Sequence, residues 1–390
     1  MKYDFDRVID RRDTACEKYS FLKKHGLDED VLPMWVADMD FETVPEIKER
    51  LRQITEHGIY GYTGRTDAYN EAVISWFSRR FQWKIEDRWI ISTPGVVFAL
   101  ATAVRTYTEP GDGILIQQPV YYPFERVIGR NGRVPVISRL IGGTEQYEMD
   151  FIDMERKIRE QNVKMMILCS PHNPVGRVWK KEELEQLGTL CETYGVTVVV
   201  DEIHCDFVRK GYKHVPFGTL EHFGKKAVIC TAPSKTFNLA GLQASNIIIA
   251  DPVLRRKFVT ELNAQGMFGA GLYGLAACQT AYETGEEWLE QLLDYLEGNY
   301  QYIKTYLQEK LPKVRLTELQ GTYLIWMDFR AYGYTDQELN RVMQKEAKLW
   351  LDDGPMFGQG GSGFMRLNLA APKSLVEDAM ERLYHAFGQL

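Results

Sequence analysis

The sequence lacks any long apolar run. No stretch approaches the roughly 18 consecutive apolar residues that a membrane-spanning helix needs, and the opening residues, MKYDFD, hold no apolar core of a secretory signal peptide. Basic residues are in the minority, since 47 Lys and Arg against 54 Asp and Glu give a formal net charge of -7. Such a chain offers no basic footprint for nucleic acid or an anionic membrane. We therefore expect a cytoplasmic protein that has neither nucleic acid nor membrane as a partner.

Cysteine is also scarce, with six residues in a chain of 390. No two of them have the spacing of paired zinc ligands. Four lie in or beside apolar segments, where a thiol behaves as a small apolar side chain. We therefore expect free buried thiols and no metal site. The six are Cys16, Cys169, Cys191, Cys205, Cys230 and Cys278.

The middle of the chain alternates between strand and helix patterns, which is typical of an α/β fold with a mostly parallel sheet covered by helices on both faces. At 45% hydrophobic residues the chain can bury a large core, and we expect one two-lobed unit. We predict a large domain over residues 46–284 and a smaller α+β domain formed by residues 1–45 and 285–390. The patterns predict strands at 89–92, 113–117, 163–168, 196–200, 226–230, 323–328 and 364–369, and helices at 96–108, 121–131, 181–194, 252–263, 288–311 and 374–387.

One lysine stands out from the others. Lys235 lies in the run TAPSKTFNLAG at residues 231–241, just after an apolar strand pattern that ends near Pro233. Catalytic groups of α/β proteins lie at such strand ends. An ammonium that is desolvated there loses its proton more easily and becomes a nucleophile able to form a Schiff base.

Two upstream strand ends carry polar groups that match this lysine. Asn173 follows the strand pattern at 163–168, and Asp201 ends the one at 196–200. An asparagine, an acid and a lysine at three strand ends fit pyridoxal phosphate. Its ring nitrogen stays protonated beside an aspartate, its hydroxyl accepts a hydrogen bond, and its aldehyde condenses with lysine.

With these residues the chain resembles the fold-type I pyridoxal-phosphate enzymes of the aminotransferase superfamily. Within them it is most similar to the MalY/PatB-type cystathionine β-lyase branch of carbon-sulfur lyases. The resemblance implies a seven-stranded type of sheet in the large domain, which would bind the cofactor. Six motifs carry it, in the family order and over nearly the whole chain: LPMWVADMDF (32–41), STPGVV (92–97), SPHNPVG (170–176), DEIHCD (201–206), the lysine run, and GFMRLNL (363–369).

The cofactor phosphate needs a cradle, and the STPGVV motif ends one strand and opens a helix. Free amides and the positive end of the helix dipole then point at one spot, although a plain strand-to-helix turn would have the same sequence. The resemblance assigns the amides of Val96 and Val97 to the phosphate, with the Ser234 hydroxyl. It also implies that Tyr62 reaches this phosphate from the partner subunit of a homodimer with shared active sites.

One departure from the family pattern affects this cradle. Aminotransferase relatives have an arginine two residues after the glycine that corresponds to Gly241, whereas this chain has Gln243. The phosphate would then be held by amides, hydroxyls and a tyrosine more than by a fixed positive charge. We therefore expect a weaker affinity for the cofactor.

The resemblance also assigns residues around the cofactor ring. Asp201 is the partner of the ring nitrogen, and Asn173 is assigned to the ring hydroxyl. His204 either helps with that hydroxyl or is a packed, hydrogen-bonded histidine beneath the ring. Tyr121 stacks on the ring face, the alternative being a core aromatic at a helix start.

Substrate binding is assigned to two places. Arg366 would hold the substrate α-carboxylate in its guanidinium fork, the alternative being an arginine on a wet sheet face. The segment at 35–40, which includes Ala37, would cross the mouth of the site, unless it is an ordinary connecting loop. Tyr323 and Trp326 are expected in the core.

These assignments predict a carbon-sulfur β-lyase that acts on a small sulfur amino acid, L-cystathionine or cysteine and its S-conjugates, and releases thiol, pyruvate and ammonia. Lys235, once displaced from the cofactor by the substrate amine, would remove the α-proton. The alternative is an aminotransferase of class I/II, which uses the same residues. A third hypothesis is a ligand-sensing or partner-binding module, whose signature would be loss of Lys235 or Asp201; both are present.

Overall fold

The structure, a computed structural model, describes residues 2–143 and 146–389. Short strands alternate with helices through most of this region. The strands are β1 (Leu32–Pro33), β2 (Ile90–Thr93), β3 (Gly113–Gln118), β4 (Val134–Arg139), β5 (Ile141–Gly142), β6 (Tyr147–Glu148), β7 (Val163–Cys169), β8 (Thr197–Asp201), β9 (Val228–Thr231), β10 (Ser245–Ile248), β11 (Arg315–Leu316), β12 (Leu324–Asp328), β13 (Leu349–Trp350), β14 (Asp352–Asp353) and β15 (Phe364–Asn368).

Helices cover both faces of the sheet and close the end of the described chain. They are α1 (Pro45–His57), α2 (Asp67–Phe81), α3 (Val96–Tyr107), α4 (Pro123–Arg130), α5 (Phe151–Glu160), α6 (Lys181–Thr193), α7 (Pro233–Thr236), α8 (Pro252–Ala264), α9 (Leu272–Thr284), α10 (Glu286–Lys310), α11 (Asp336–Arg341) and α12 (Lys373–Phe387). In the described part of the chain, no helix combines the length and the apolar character needed to cross a membrane.

Seven strands form the large sheet, in the order β2-β10-β9-β8-β7-β3-β4. All neighbours pair in parallel except β10, which is antiparallel to both β2 and β9. The central strands read as continuous apolar runs because both faces are covered. In β7, Met165 and Ile167 join one buried cluster, whereas Met166 and Leu168 join the other. The expected mostly parallel α/β sheet is confirmed.

The C-terminal part of the chain forms a second sheet of four antiparallel strands, β11-β12-β15-β14. The long helix α10 packs against α12. In the sheet, β15 lies between β12 and β14 and pairs with both. Through β1, the N-terminal segment pairs in parallel with β13. This arrangement agrees with the predicted change to α+β structure, while the exact domain boundaries stay a prediction.

Two features differ from the sequence-based expectation. The helix expected at residues 121–131 begins instead at Pro123, because proline fits the first turn of a helix, where no amide donor is needed. Tyr121 therefore lies before the helix, and its side-chain direction is not set by the helical repeat. The helices α1, α2, α5, α7, α9 and α11, and the strands β4 and β10 of the large sheet, were not predicted from the sequence.

Candidate active site

The carboxyl ends of β7 and β8, the residues after β9 and the start of α3 surround one cavity of about 220 Å³. It lies where an α/β sheet is expected to bind a ligand. Most of the predicted site residues line it together, whereas Arg366 and Tyr62 do not. The lining residues are Ala37, Pro94, Gly95, Val96, Val97, Phe98, Tyr121, Cys169, Asn173, Asp201, Ile203, His204, Ser234, Lys235, Ala240, Gln243 and Ala244.

Lys235 lies in the single-turn helix α7, which begins at Pro233 just after β9. Its Nζ donates to the carbonyl of Ala37 at 2.6 Å, and the Tyr323 hydroxyl donates to the same oxygen at 3.1 Å. The side chain faces the cavity on one side, yet desolvation by the surrounding protein lowers its pKa to about 8. A neutral, nucleophilic amine is therefore accessible near physiological pH.

Asp201 ends β8 and is 3% exposed. Burial raises the pKa of its carboxyl to about 7, against the opposing effects of the Ile203 amide, which donates to Oδ1 at 3.1 Å, and of Lys235. Its neighbour Glu202 points to the other side of the strand and accepts the Phe217 amide at 2.7 Å. Burial disfavours the ionised form of this carboxyl group, and a cationic partner, such as a protonated ring nitrogen, would stabilise that form.

The phosphate cradle predicted at the start of α3 has the required geometry. Gly95 precedes the helix with φ of 141°, a conformation that favours glycine. The first backbone bond of the helix runs from the Ala99 amide to the Gly95 carbonyl, so the preceding amides of Val96 and Val97 have no partner within the helix. These donors and the helix dipole make an anion site that opens on the cavity.

The cradle has further groups at its edge. Ser234 and Gln243 both line the cavity. Gln243 adopts a left-handed backbone with φ of 50° after a short helical turn. Within the described residues, no lysine or arginine other than Lys235 lines this cavity.

The ring side chains of Tyr121 and His204 both line the cavity. The Tyr121 amide donates to the Asn173 carbonyl at 3.0 Å, which fixes the tyrosine beside the cavity. His204 is buried, and its pKa is well below the usual value because of burial and the nearby Lys235 and Arg366. Its ring lies 5.6 Å from that of Tyr323, and its buried Nδ1 lacks a protein hydrogen-bond partner in the described part of the chain. A neutral histidine with a free nitrogen is available to a ligand here.

Arg366 lies behind the cavity lining and is connected to it through Asn173. Its Nη1 donates to Asn173 Oδ1 at 2.9 Å, and its Nη2 donates to the Trp35 carbonyl at 2.9 Å and to Asp352 Oδ2. The alternative of an arginine on a wet sheet face is wrong, since Arg366 is 2% exposed. Because Asn173 accepts through its oxygen, its amide group remains as a donor.

Tyr62 does not line the cavity of its own chain, and its side chain is fully accessible to solvent. Other large apolar side chains that are exposed nearby in sequence are Ile59 and Tyr60, and Phe268 is 88% exposed. The predicted role of Tyr62 belongs to a neighbouring subunit, and a single chain does not test it.

Sequence reasoning missed a cluster of charges behind the loop at 35–41. Asp40 accepts from Lys18 at 2.6 Å and from Arg11 at 2.7 Å, and Arg11 also binds Asp38 at 2.7 Å. Lys18 is fully buried and Asp40 is 3% exposed. This cluster fixes the loop whose Ala37 carbonyl holds Lys235. Two aspartates inside an otherwise apolar motif were the sequence signal for it.

Two asparagines fix the same loop through its backbone. The Asn238 side chain binds the Met39 amide at 3.0 Å and the carbonyls of Met39 and Phe41 at 2.9 and 3.0 Å. Asn368 donates to the carbonyls of Val36 and Asp38 at 2.8 and 2.6 Å. These bonds fix the backbone of the loop, whose Ala37 lines the cavity. Tyr323, expected only in the core, also contributes a polar contact to it.

Comparison with known proteins agrees with this geometry. The model of the family "Aminotransferase class I and II" matches residues 29–383. The chain belongs to this family. It is 43% identical to cystathionine beta-lyase PatB of Bacillus subtilis over 381 residues, which cover 97% of this chain and 98% of that protein.

Solved structures give the same family placement. The crystal structure of cystalysin from Treponema denticola, which contains a pyridoxal 5'-phosphate cofactor, matches with a TM-score of 0.95 and 37% identity over 99% of each chain. The PLP-bound C-S lyase of Staphylococcus hominis matches with a TM-score of 0.92 and 32% identity, over 99% of this chain and 98% of that one. The fold is that of the fold-type I pyridoxal-phosphate enzymes, as the sequence predicted.

The residues of the cavity fit the cofactor of this aminotransferase family. The Lys235 amine, whose pKa is lowered, fits the cofactor aldehyde. The buried Asp201 carboxyl fits the ring nitrogen, and the amides at the start of α3 that have no partner within the helix fit the phosphate. The unpartnered Nδ1 of His204 adds a polar atom that the protein alone leaves without a hydrogen bond.

Proposed function

We propose that this protein is a pyridoxal-phosphate-dependent carbon-sulfur β-lyase. With one molecule of water, it splits L-cystathionine, or a related S-substituted cysteine, into a thiol, pyruvate and ammonia. The observation that carries the proposal is the convergence of Lys235, Asp201 and the α3 amides on one cavity of about 220 Å³. The relatives named cystathionine beta-lyase and C-S lyase, which align along nearly the whole chain, favour this reaction over others of the family.

When bound, the cofactor supplies an aldehyde that takes amino groups and a cationic ring that accepts electrons from the substrate. Lys235 would hold that aldehyde, and its free amine would take the α-proton of the substrate, a role for which a pKa of about 8 is suitable. Asp201 keeps the ring nitrogen protonated, because its own charge is unfavourable without a cationic partner in this buried position.

Other residues orient the two molecules. The amides of Val96 and Val97, with the Ser234 hydroxyl, hold the phosphate. Tyr121 would pack on the cofactor ring, and the Asn173 amide group would donate to the ring hydroxyl, with His204 as a further neighbour of the ring. These roles are supported by where the side chains lie around the cavity.

Arg366 binds the α-carboxylate of the substrate, in our proposal, and Ala37 forms the opposite wall. The contact from Arg366 to Asn173 Oδ1 links the substrate position to the cofactor position. A guanidinium fork matches a carboxylate in two-point geometry.

We further propose that the enzyme is a homodimer in which Tyr62 completes the phosphate site of the partner subunit. The exposed apolar side chains Ile59, Tyr60, Tyr62 and Phe268 support this proposal, since such side chains are typical of surfaces that become covered. A monomer in sedimentation analysis at micromolar concentration would contradict it.

The reaction is tested by adding L-cystathionine to the purified protein with pyridoxal phosphate. We expect pyruvate to form without any keto acid in the mixture. Amino transfer that depends on an added keto acid, without pyruvate, would instead identify an aminotransferase. The Lys235→Ala protein is the control, and its turnover should fall to background.

A further inference from the structure

The substrate-binding arginine has a buried acidic partner. Asp352 in β14 and Arg366 in β15 are directly paired across two antiparallel strands, so their side chains share one face of the small sheet. Each residue is 2% exposed. Asp352 Oδ2 accepts from Arg366 Nη2, and the strand positions hold the two groups together.

Protein acceptors already occupy most of the hydrogen-bond donors of the Arg366 guanidinium. Nη2 has two, and these are accepted by the Trp35 carbonyl and by Asp352, while Nη1 donates to Asn173. Buried Nε has no partner. Each edge of a guanidinium that can bind a carboxylate at two points includes one Nη2 hydrogen. A substrate carboxylate can therefore bind at two points only if an acceptor leaves Nη2.

The Trp35 carbonyl is part of a backbone whose neighbouring residues are hydrogen-bonded, whereas the Asp352 carboxylate ends a side chain. This carbonyl belongs to the loop that Asn368 fixes through the next carbonyls, and Met34 before it pairs with Trp350 and Asn368. Asp352 differs because it can change its charge. Two carboxylates on one buried guanidinium repel each other, and that repulsion is relieved when one of them is protonated.

We propose that Asp352 is the internal counter-ion of Arg366 and takes up one proton from solvent when a substrate carboxylate replaces it on Nη2. The inference rests on the substrate-binding role proposed above for Arg366 and adds a positioning residue to it. The net charge of the buried site stays the same, because one carboxylate enters while another is neutralised.

The surroundings of Asp352 agree with this exchange. Burial already raises the pKa of Asp352 to about 6, with Arg366 opposing and Asp353 adding to the rise. The other titratable groups that act on it are Tyr121 and Tyr122 before α4, and burial raises the pKa of both phenols, so that they stay neutral. Phe357, 4.9 Å from the guanidinium, contributes an apolar wall.

The test uses the cofactor-loaded enzyme and 3-(methylthio)propanoic acid, a substrate-like acid without the amino group that would react. Calorimetry at pH 7.5 in buffers of different ionisation enthalpy measures protons taken up per ligand bound. We expect about one proton for the natural protein, and a dissociation constant that rises about tenfold per pH unit above pH 6. Asp352→Asn should take up no proton and bind with a constant that does not change with pH.

Asp353→Asn is the matched control, since Asp353 is the next residue of the same strand and faces the opposite side. It should retain the proton uptake of the natural protein. Proton uptake that persists in Asp352→Asn would overturn the proposal. The proposal would also be overturned if the natural protein bound the acid with a dissociation constant that does not change with pH, or showed no saturable binding. This measurement on the natural protein decides the question even if Asp352→Asn does not fold.

The outcome is separable from that of the proposed function. Failure to release pyruvate from cystathionine, together with proton-linked binding of the acid, would refute the lyase but leave the counter-ion intact. Pyruvate release without proton-linked binding would refute only the counter-ion.

Discussion

The buried carboxyl of Asp201 predicts that one substitution will stabilise the cofactor-free protein and inactivate the enzyme. In the unfolded chain an aspartate titrates near 3.8, whereas burial raises the pKa of Asp201 to about 7 in the folded protein. The folded state therefore binds more protons between these two values, and stability falls as pH rises through them. Since one pH unit corresponds to about 1.4 kcal/mol, the cost of ionising Asp201 above pH 7 is about 4 kcal/mol.

Asp201→Asn removes this cost without changing the size of the side chain. We expect the free energy of unfolding of the cofactor-free variant to equal that of the natural protein near pH 4 and to exceed it by about 4 kcal/mol above pH 7. Urea denaturation across this pH range measures the difference, after the cofactor has been removed with hydroxylamine. Turnover of the loaded variant should fall by orders of magnitude, because an amide does not keep the ring nitrogen protonated.

The control is Asp294→Asn, which changes an exposed carboxylate on α10 and should have a small effect at every pH. A constant difference between Asp201→Asn and the natural protein across the pH range would refute the reasoning, since it would show that Asp201 is not destabilised by burial. Full activity of the loaded Asp201→Asn enzyme would refute its assigned role.

Three further predictions concern the loop, the cradle and the subunit interface. Asp40→Ala leaves Lys18 buried without its close carboxylate, so it should lower the free energy of unfolding, measured by urea denaturation, by about 3–5 kcal/mol. Asp38→Ala removes a more exposed carboxylate and should lower it by about 1 kcal/mol. Equal losses in the two variants would contradict the burial argument. Gln243→Arg should bind pyridoxal phosphate about tenfold more tightly in a titration of the cofactor-free protein, through one charge-assisted hydrogen bond, and unchanged affinity would show that the position does not reach the phosphate. Inactive Lys235→Ala and Tyr62→Ala proteins, when unfolded and refolded together, should recover about a quarter of full activity, because half of the dimers are mixed and each mixed dimer has one intact site; no recovery would refute the shared site.

The strand ends show what the sequence predicts well. Each of Asn173, Asp201 and Lys235 follows an apolar run, and the parallel order of β7, β8 and β9 then brings the three to one edge. Local patterns suffice here because strand period, turn residues and the direction of parallel strands are all set over short distances. The fold class follows from the same alternation.

The loop at 35–41 shows where sequence patterns stop. Its shape depends on partners such as Arg11, Lys18, Asn238 and Asn368, which lie up to 332 positions away from it in the chain. No local periodicity encodes contacts at that separation. The charges of Asp38 and Asp40 could be seen in the sequence, but the identity of their partners could not.

By itself, the sequence determined the alternation of strand and helix that defines the fold class, the residue types at the strand ends and therefore the chemistry that they can supply. Only the tertiary structure decided which buried charges meet: Asp352 with Arg366, and Asp40 with Lys18. The reason is physical, because a strand end is specified by the period of a few neighbouring side chains. A buried ion pair exists only when separate elements exclude water around both of its members.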